Sequence, residues 1–276
     1  MRLLPDDPVK YLHQLGEAGD ADRDIAGAAL MLSALDNPGR DLDPYIAHLA
    51  EIAENSRLRA SFAMDAESAG AALSSVVSGY YGYDGDRLAY DDPRNADLIS
   101  VIDRRRGLPV ALGIVYLHAM RAAGFRALGL TSPGHFLLQL EVRSSHVLID
   151  PFNGGAGVER ERLGTYPNMR SVGENPADSF QPVDDVDVLL RLENNQKIRA
   201  MQAGDAIRAL TLTKRMVLIA PKRAELWVDL AQLHEGEGEL AAARTAYGTC
   251  LMLAQPGAPL HNEAALGLED LKRRLN

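Results

Sequence analysis

The chain has 276 residues, enough for about two domains with a substantial core. Its composition, 46% hydrophobic and 24% charged, is that of an ordinary globular protein. The net charge is −9, and residues 1–90 hold 15 acidic side chains against 7 basic ones, so the chain lacks the basic footprint of a nucleic-acid binder. The single cysteine, Cys250, excludes an intramolecular disulfide and a multi-cysteine metal site. At the start, MRLLPDDPVKYL carries Asp6, Asp7 and Lys10 where a signal peptide needs an apolar run. No stretch approaches the roughly 18 apolar residues of a membrane span, so a cytoplasmic protein with no membrane partner is expected.

Residues 8–75 read as helices. Apolar positions recur at helical spacing through Ile25, Ala28, Ala29, Leu32 and Leu35, and again through Tyr45, Ile46, Leu49, Ile52 and Ala53. Between them, Asp36-Asn37-Pro38-Gly39 is turn chemistry, and Asp43-Pro44 reads as an N-cap and N1 pair. Residues 79–95 are rich in Gly, Asp and Tyr and have no period, which predicts a loop or an ordered surface excursion. Its tyrosines Tyr80, Tyr81, Tyr83 and Tyr90 either pack this segment onto the core or, if exposed, form an interaction patch. Val110–Ala123 is apolar on nearly all sides, is preceded by Pro109 and closes at Gly124, so it reads as a buried central helix. The runs 135–142 and 146–150, separated by Arg143-Ser144-Ser145, predict a β-hairpin. Residues 151–183 read as a long irregular segment, and Gly154-Gly155-Ala156-Gly157 within it as a flexible turn.

From about residue 185 the chain reads as helical with a period of 34. Gly204 maps to Gly238, Ala209 to Ala243, Thr213 to Tyr247 and Met216 to Cys250, with Pro221 within one residue of Pro256. Trp227, Leu230 and Gly238 fall where a tetratricopeptide repeat has its Trp, Leu and mid-repeat Gly. Two repeats and a polar closing helix over 261–276 are expected, and an unrelated helical bundle is the alternative.

His135 and Asp150 fall at the open end of the predicted hairpin, and an imidazole oriented by a carboxylate is the base half of a nucleophilic triad. The N-terminus of the central helix would suit a thiolate, whose charge the helix dipole stabilises. The alternative is a structural hydrogen bond that pins the hairpin. Ser132 and Thr131 are nucleophile candidates by proximity alone. His135, His146 and Asp150 make a poor metal set, because His146 lies away from the open end. No cofactor is implied. Arg104-Arg105-Arg106 reads either as a site for an acidic ligand or as a solvated, ion-paired face.

The order of helix, Gly-His strand and Asp-Pro strand resembles the papain-like transglutaminase superfamily. The strings YDDPRNADLISVIDRRRGLPVALGIVYLHAMRAAG, SPGHFL and LIDPFNGG resemble, more specifically, the SirB family, over roughly residues 20–255. The resemblance implies an α+β fold that is mostly helical. Its papain/transglutaminase-like core (residues 1–183, with the N-terminal helices) has a small antiparallel sheet packed on the buried central helix. An all-α tetratricopeptide region follows over 184–276. The family takes its name from a proposed role in up-regulating invasion gene expression. Carried over residue by residue, the triad's histidine matches His135 and its aspartate Asp150. The cysteine position, counted back from Arg121 and two residues beyond Gly107, matches Pro109, which has no nucleophile. Cys250 cannot replace it.

The expectation is therefore a pseudoenzyme. It would bind a protein or peptide partner through the repeats or through the former cleft, and any effect on gene expression would be indirect. The residues expected to line that cleft are Arg106, Gly107, Pro109, Pro133, Gly134, Phe136, Pro151, Phe152 and Asn153. The alternative is a cysteine-independent hydrolase or amide-processing enzyme with His135 as base and Asp150 as its orienter.

Overall fold

The computed structural model describes residues 5, 7–17, 24–132, 135–159, 163 and 180–275. They form a mostly helical protein with a small antiparallel sheet and a helical C-terminal region. The chain divides into two compact units, Met1–Tyr11 with Asp20–Leu192, and Leu12–Gly19 with Glu193–Asn276. Among the described residues no helix is long and apolar enough to cross a membrane.

In the first unit, helices α1 (Pro8–Glu17, whose first residues belong here), α2 (Ile25–Asp36), α3 (Asp43–Ala60) and α4 (Ala66–Ser74) precede a π-helical turn at Ser75–Tyr80. Asp24 caps α2 by accepting the Gly27 amide, and Asp65 and Ser68 close a reciprocal capping box on α4. The expected cap of α3 shifts by one residue. Leu42 precedes the helix, and Asp43 lies in its first turn, where a carboxylate complements the helix dipole.

Strand β1 (Asp84–Gly85), helix α5 (Leu98–Arg104), strand β2 (Arg106–Gly107) and helix α6 (Pro109–Ala122) follow. Helix α6 is the predicted central helix. Ten of its fourteen residues are buried, Pro109 occupies its first turn, and Gly124 (φ +85°) lies just beyond its end.

The sheet is larger than the predicted hairpin. Strands β3 (Arg126–Ser132), β4 (His135–Val142), β5 (Ser145–Asp150), β6 (Ala156–Val158) and β7 (Gln181–Val183) lie in the order β6-β5-β4-β3-β7, all antiparallel. Ser145 belongs to β5 rather than to the turn, which is Arg143-Ser144 with Arg143 at φ +56°. The presumed flexible Gly-rich turn is a two-glycine bend followed by the edge strand β6. Within the segment expected to be irregular, 156–158 and 181–183 are strands, and most of the remainder lies outside the described residues.

One sheet face packs on α6 and α4. Phe136, 2% exposed, lies against Gly113 of α6, where an added Cβ would come within 2.4 Å of its ring. Ile149 and Val147 meet Gly70 of α4. The opposite face carries Leu130, Leu137 and Leu148, joined by Leu163 and Phe180. Arg121, near the end of α6, forms a two-pronged ion pair with Asp185 (2.6 and 2.8 Å) and donates to the Ala127 carbonyl at 3.1 Å. It thereby joins α6 and β3 to the start of α7 (Asp185–Gln202).

The second unit contains the end of α1, the rest of α7 and helices α8 (Ala206–Ile219), α9 (Ala224–Gly236), α10 (Leu240–Leu253) and α11 (Pro259–Leu275). The α7–α8 and α9–α10 turns each contain a glycine at positive φ, Gly204 and Gly238. Cys250 is buried in α10, and burial raises its thiol pKa, with Glu263 and Glu225 adding to the effect.

Two stability predictions follow from this packing. Gly113→Ala should destabilise the protein by about 1–3 kcal/mol, because Phe136 has no room to yield. Gly248→Ala, in open space within α10, should be neutral or stabilising. Urea unfolding distinguishes the two, and an unperturbed Gly113→Ala would contradict the Phe136 contact.

A prediction of pH dependence concerns His118 on α6, which bonds the Leu49 carbonyl at 3.0 Å. Burial holds its imidazole below the ordinary histidine value, and the same holds for His48. The folded state therefore binds fewer protons than the unfolded one. Stability should be complete above about pH 6.5 and fall as pH drops below it. In His118→Gln, which keeps a donor for Leu49, that slope should be smaller in a pH series of unfolding curves. An unchanged slope would exclude His118 as its source.

Candidate functional site

His135 and Asp150, named from the sequence, lie toward one end of the sheet. In the β4–β5 register Leu138 pairs with Ile149, so Asp150 falls opposite Leu137. His135, three residues before Leu138, and Asp150, one after Ile149, thus fall at the same end of the β4–β5 pair. Phe136 takes the intervening position and points to α6. Helix α6 meets β4 at Gly113–Phe136, and Arg121 reaches the Ala127 carbonyl, whose residue pairs with Leu140. Eight helical residues advance about 12 Å and four strand residues about 13 Å, so α6 runs alongside β4 in the same direction. Its N-terminus, with Pro109, therefore lies at the end of the sheet that holds His135 and Asp150.

The approach to His135 is held by Arg191 of α7, which the sequence reading missed. Its guanidinium donates to the His135 carbonyl at 2.9 Å, to the Ser132 carbonyl at 3.5 Å and, closely, to Thr131 Oγ1. It also lies 5.9 Å from the centre of the Phe136 ring. Burial lowers its pKa. Thr131, one of the two conceivable nucleophiles, thus has its hydroxyl committed to Arg191. The other, Ser132, is buried. Pro133 and Gly134 lie outside the described residues.

Asp150 is 4% exposed, and its carboxylate is engaged locally. It accepts the amides of Phe152 (2.9 Å) and Asn153 (3.2 Å) and the Asn153 side-chain amide (2.5 Å), capping the turn 151–153. Its main-chain carbonyl accepts from Gly155 at 2.9 Å. Gly155 is in the left-handed region (φ +76°), and a Cβ there would lie 2.4 Å from both Ser74 Oγ and the Tyr116 hydroxyl, so only glycine fits. Phe152 packs against Gly85, with the Tyr90 ring edge-on at 5.7 Å and the Arg87 guanidinium at 5.2 Å. Arg87 also binds the Phe152 carbonyl, Asn153 Oδ1 and Asp84.

Phe136 is therefore a correction to the expected cleft lining: its ring belongs to the α6–sheet core. Gly107 and Pro151 are also buried, and Gly107 packs against Val101 and pairs with Gly85. Pro109 and Phe152 are half-buried, and Asn153 and Arg106 are exposed. Asn153 also borders a cavity of about 680 Å³ between α4 and the β5–β6 edge, which none of the other expected site residues lines.

The arginine run forms a clasp rather than an open cationic patch. Arg104 binds Asp86 (2.7 Å) and Asn95 (2.8 Å), Arg105 binds the Tyr83 hydroxyl (2.8 Å) and covers its ring, and Arg106 binds the Gly82 carbonyl (2.9 Å). The 79–95 segment is ordered by these contacts. Tyr83 is fully buried, while Tyr80 and Tyr90 are exposed. Among the described residues, no group of three His, Cys, Asp or Glu side chains is arranged to hold a metal ion.

The sequence profile of the transglutaminase-like superfamily matches residues 43–194, more than half of the chain, and spans α3 through the start of α7. The chain belongs to the transglutaminase-like superfamily. Its helix α6 and strands β4 and β5 fall inside the matched range. Among curated proteins, the UPF0162 protein of Xylella fastidiosa (strain 9a5c) is 29% identical over 179 residues, 63% of this chain and 64% of the relative. The UPF0162 protein of strain Temecula1 is 31% identical over 173 residues, 60% and 62% of the two chains. That of Vibrio cholerae is 32% identical over 132 residues, 48% and 49%. The chain thus spans less than two thirds of the length of these relatives. A solved structure of menin, whose title reports the binding site for Mixed Lineage Leukemia (MLL) protein, superposes with a TM-score of 0.47 at 9% identity. The superposition covers 90% of this chain and 71% of that one, and a likeness this weak bears on neither function nor partner.

The geometry of this transglutaminase-like end can be probed with a thiol. Pro109→Cys should carry a thiolate with a pKa below the ordinary ~8.5, because the helix dipole stabilises it. Its alkylation by iodoacetamide should slow when His135→Ala is added. Buried Cys250 should stay unreactive in the folded protein. An ordinary thiol pKa, indifferent to His135, would separate the two positions.

Proposed function

We propose that this transglutaminase-like chain is a non-catalytic member of its superfamily, of the SirB type, that acts by binding a protein or peptide. Pro109 carries the reading. Proline at the position matched to the nucleophile offers neither a thiol nor a hydroxyl, so acyl transfer through a covalent enzyme intermediate has no starting atom there. The same reading divides the chain at 183/184 and treats residues 184–276 as two tetratricopeptide repeats with a closing helix. Its support is that α8 and α10 begin 34 residues apart, at Ala206 and Leu240, behind Gly204 and Gly238. Such repeats offer a groove for a helix or peptide. The protein would act in the cytoplasm as a regulatory module, with any effect on gene expression indirect.

One observation favours a second reading. His135 and Asp150 lie at the same end of the β4–β5 pair, as they would if His135 served as general base on a water in a cysteine-independent hydrolase. Against it, the Asp150 carboxylate already holds the 151–153 turn.

Quantitative affinity capture from native extract, comparing wild type with folded His135→Ala, separates the two. The binding reading expects both proteins to retain the same partner to the same extent, within about twofold. A species that accumulates on the variant and is released or modified by wild type would overturn it in favour of catalysis. Loss of His135 would also orphan its partners at a cost of about 1–3 kcal/mol, so unfolding curves accompany the capture.

A further inference from the structure

The end of α3, the turn after it and the π-helical segment expose apolar side chains that the candidate site does not use. Leu58 is 54% exposed, Phe62, one turn further on, 89%, Met64 64% and Tyr80 74%. Scattered exposed hydrophobics are normal, but large ones gathered at one place mark an interaction site. Leu58 and Tyr80 line a groove of about 650 Å³ together with Asn55, Arg59, Ser75 and Val76.

The surface is held in shape. The Tyr80 ring packs edge-on against Tyr81 at 4.9 Å. Tyr81 in turn meets the His48 ring at 5.1 Å and accepts from Asn55 Nδ2 at 2.6 Å. Arg143 donates to the Met64 carbonyl at 3.3 Å. An exposed aromatic fixed in this way loses little freedom on binding.

The groove's charge and backbone say what fits it. Arg59 lies in the lining, its Nε 3.4 Å from Ser75 Oγ, and among the described residues no carboxylate pairs with it. Its neighbour Arg57 is already paired with Glu54 at 2.6 Å. A cation set among apolar side chains calls for a carboxylate similarly flanked. The walls are helical, α3 on one side and the π-helical turn on the other, so their backbone groups are bonded internally and no strand edge is offered. Recognition must come from side chains at helical spacing.

We propose that Leu58 and Tyr80 beside Arg59, with Phe62 one turn beyond Leu58, dock an amphipathic helix of a partner protein that carries a carboxylate beside its apolar stripe. The surface is separate from the residues of the candidate cleft, and the inference does not depend on how that cleft is read.

The test uses the full chain and two synthetic helical peptides of roughly 16 residues, with leucines at i, i+3, i+4 and i+7. One peptide has glutamate and the other lysine bordering the stripe. By fluorescence anisotropy the glutamate peptide should bind about tenfold more tightly than the lysine peptide. Arg59→Glu should reverse that order, and Phe62→Ser should weaken both by about tenfold. Both substitutions are at exposed positions, and thermal unfolding checks that the variants are folded. Absence of saturable binding by either peptide, or an order that Arg59→Glu leaves unchanged, would overturn the proposal. So would a wild-type dimer in sedimentation that Phe62→Ser dissolves, because the surface would then be covered by a second copy of the chain.

Discussion

The N-terminal unit is organised by a helix that has no polar face. Ten residues of α6 are buried, on every side of its axis, so it is stable only where other elements surround it. The sheet supplies one wall through Phe136, which approaches the helix axis closely because residue 113 is glycine. Helix α3 supplies another, and there His118 of α6 bonds the Leu49 carbonyl. At the far end, Arg121 converts the last turn into a junction with β3 and α7. Removing the apolar character of α6 would take away what each of these elements packs against.

The segment between α4 and α6 depends on a different force. Residues 79–95 have too few apolar side chains in register to fold by burial, and they are ordered by directional bonds. Three successive arginines contact three different parts of the segment, at Asp86 and Asn95, at Tyr83 and at Gly82. Arg105 takes up a left-handed backbone (φ +57°), so the run turns and its side chains reach separate targets. Exposed arginine pairs contribute little each, but Tyr83 and Asn95 are fully buried, and buried hydroxyl and amide groups must find partners. Of the two readings of the charge run, a site for an acidic ligand or an ion-paired face, these contacts are those of the second.

What could be read from the sequence follows this division. The central helix announced itself because Pro109 and Gly124 punctuate an unbroken apolar stretch. The β4–β5 hairpin was visible through its apolar residues, but its turn was misjudged by one residue, because Arg143 adopts the positive φ that glycine or asparagine usually signals. Strand β3 went unread because Ala127 and Gly129 lack the bulk that marks strands. Gly129 is small because Phe136 and Val188 come within 3.0 Å of where its Cβ would be. Residues 181–183, read as part of an irregular segment, form β7, an edge strand in which the missing amide of Pro182 is tolerated. Arg191 left no signal at all: its partners are mostly main-chain carbonyls, which have no signature in side-chain pattern.

Pro109 bears on chemistry in a second way, beyond its missing nucleophile. Where a side chain at a helix N-terminus attacks a carbonyl, the amide of that same residue commonly donates to the developing oxyanion. Proline has no amide hydrogen, so on the proposed match of Pro109 to the nucleophile position a single residue would remove both the attacking atom and one donor for the transition state. The same residue is well suited to starting a helix: its φ is already helical, and the missing amide is one the first turn leaves without an intrahelical partner. No side chain caps α6 at Leu108, and its first turn has no acidic residue, so Pro109 is what the sequence supplies to begin this helix. Proline can start the helix but cannot attack a carbonyl. A hydrolase working from His135 would need another oxyanion donor and a water held in line. Binding requires neither.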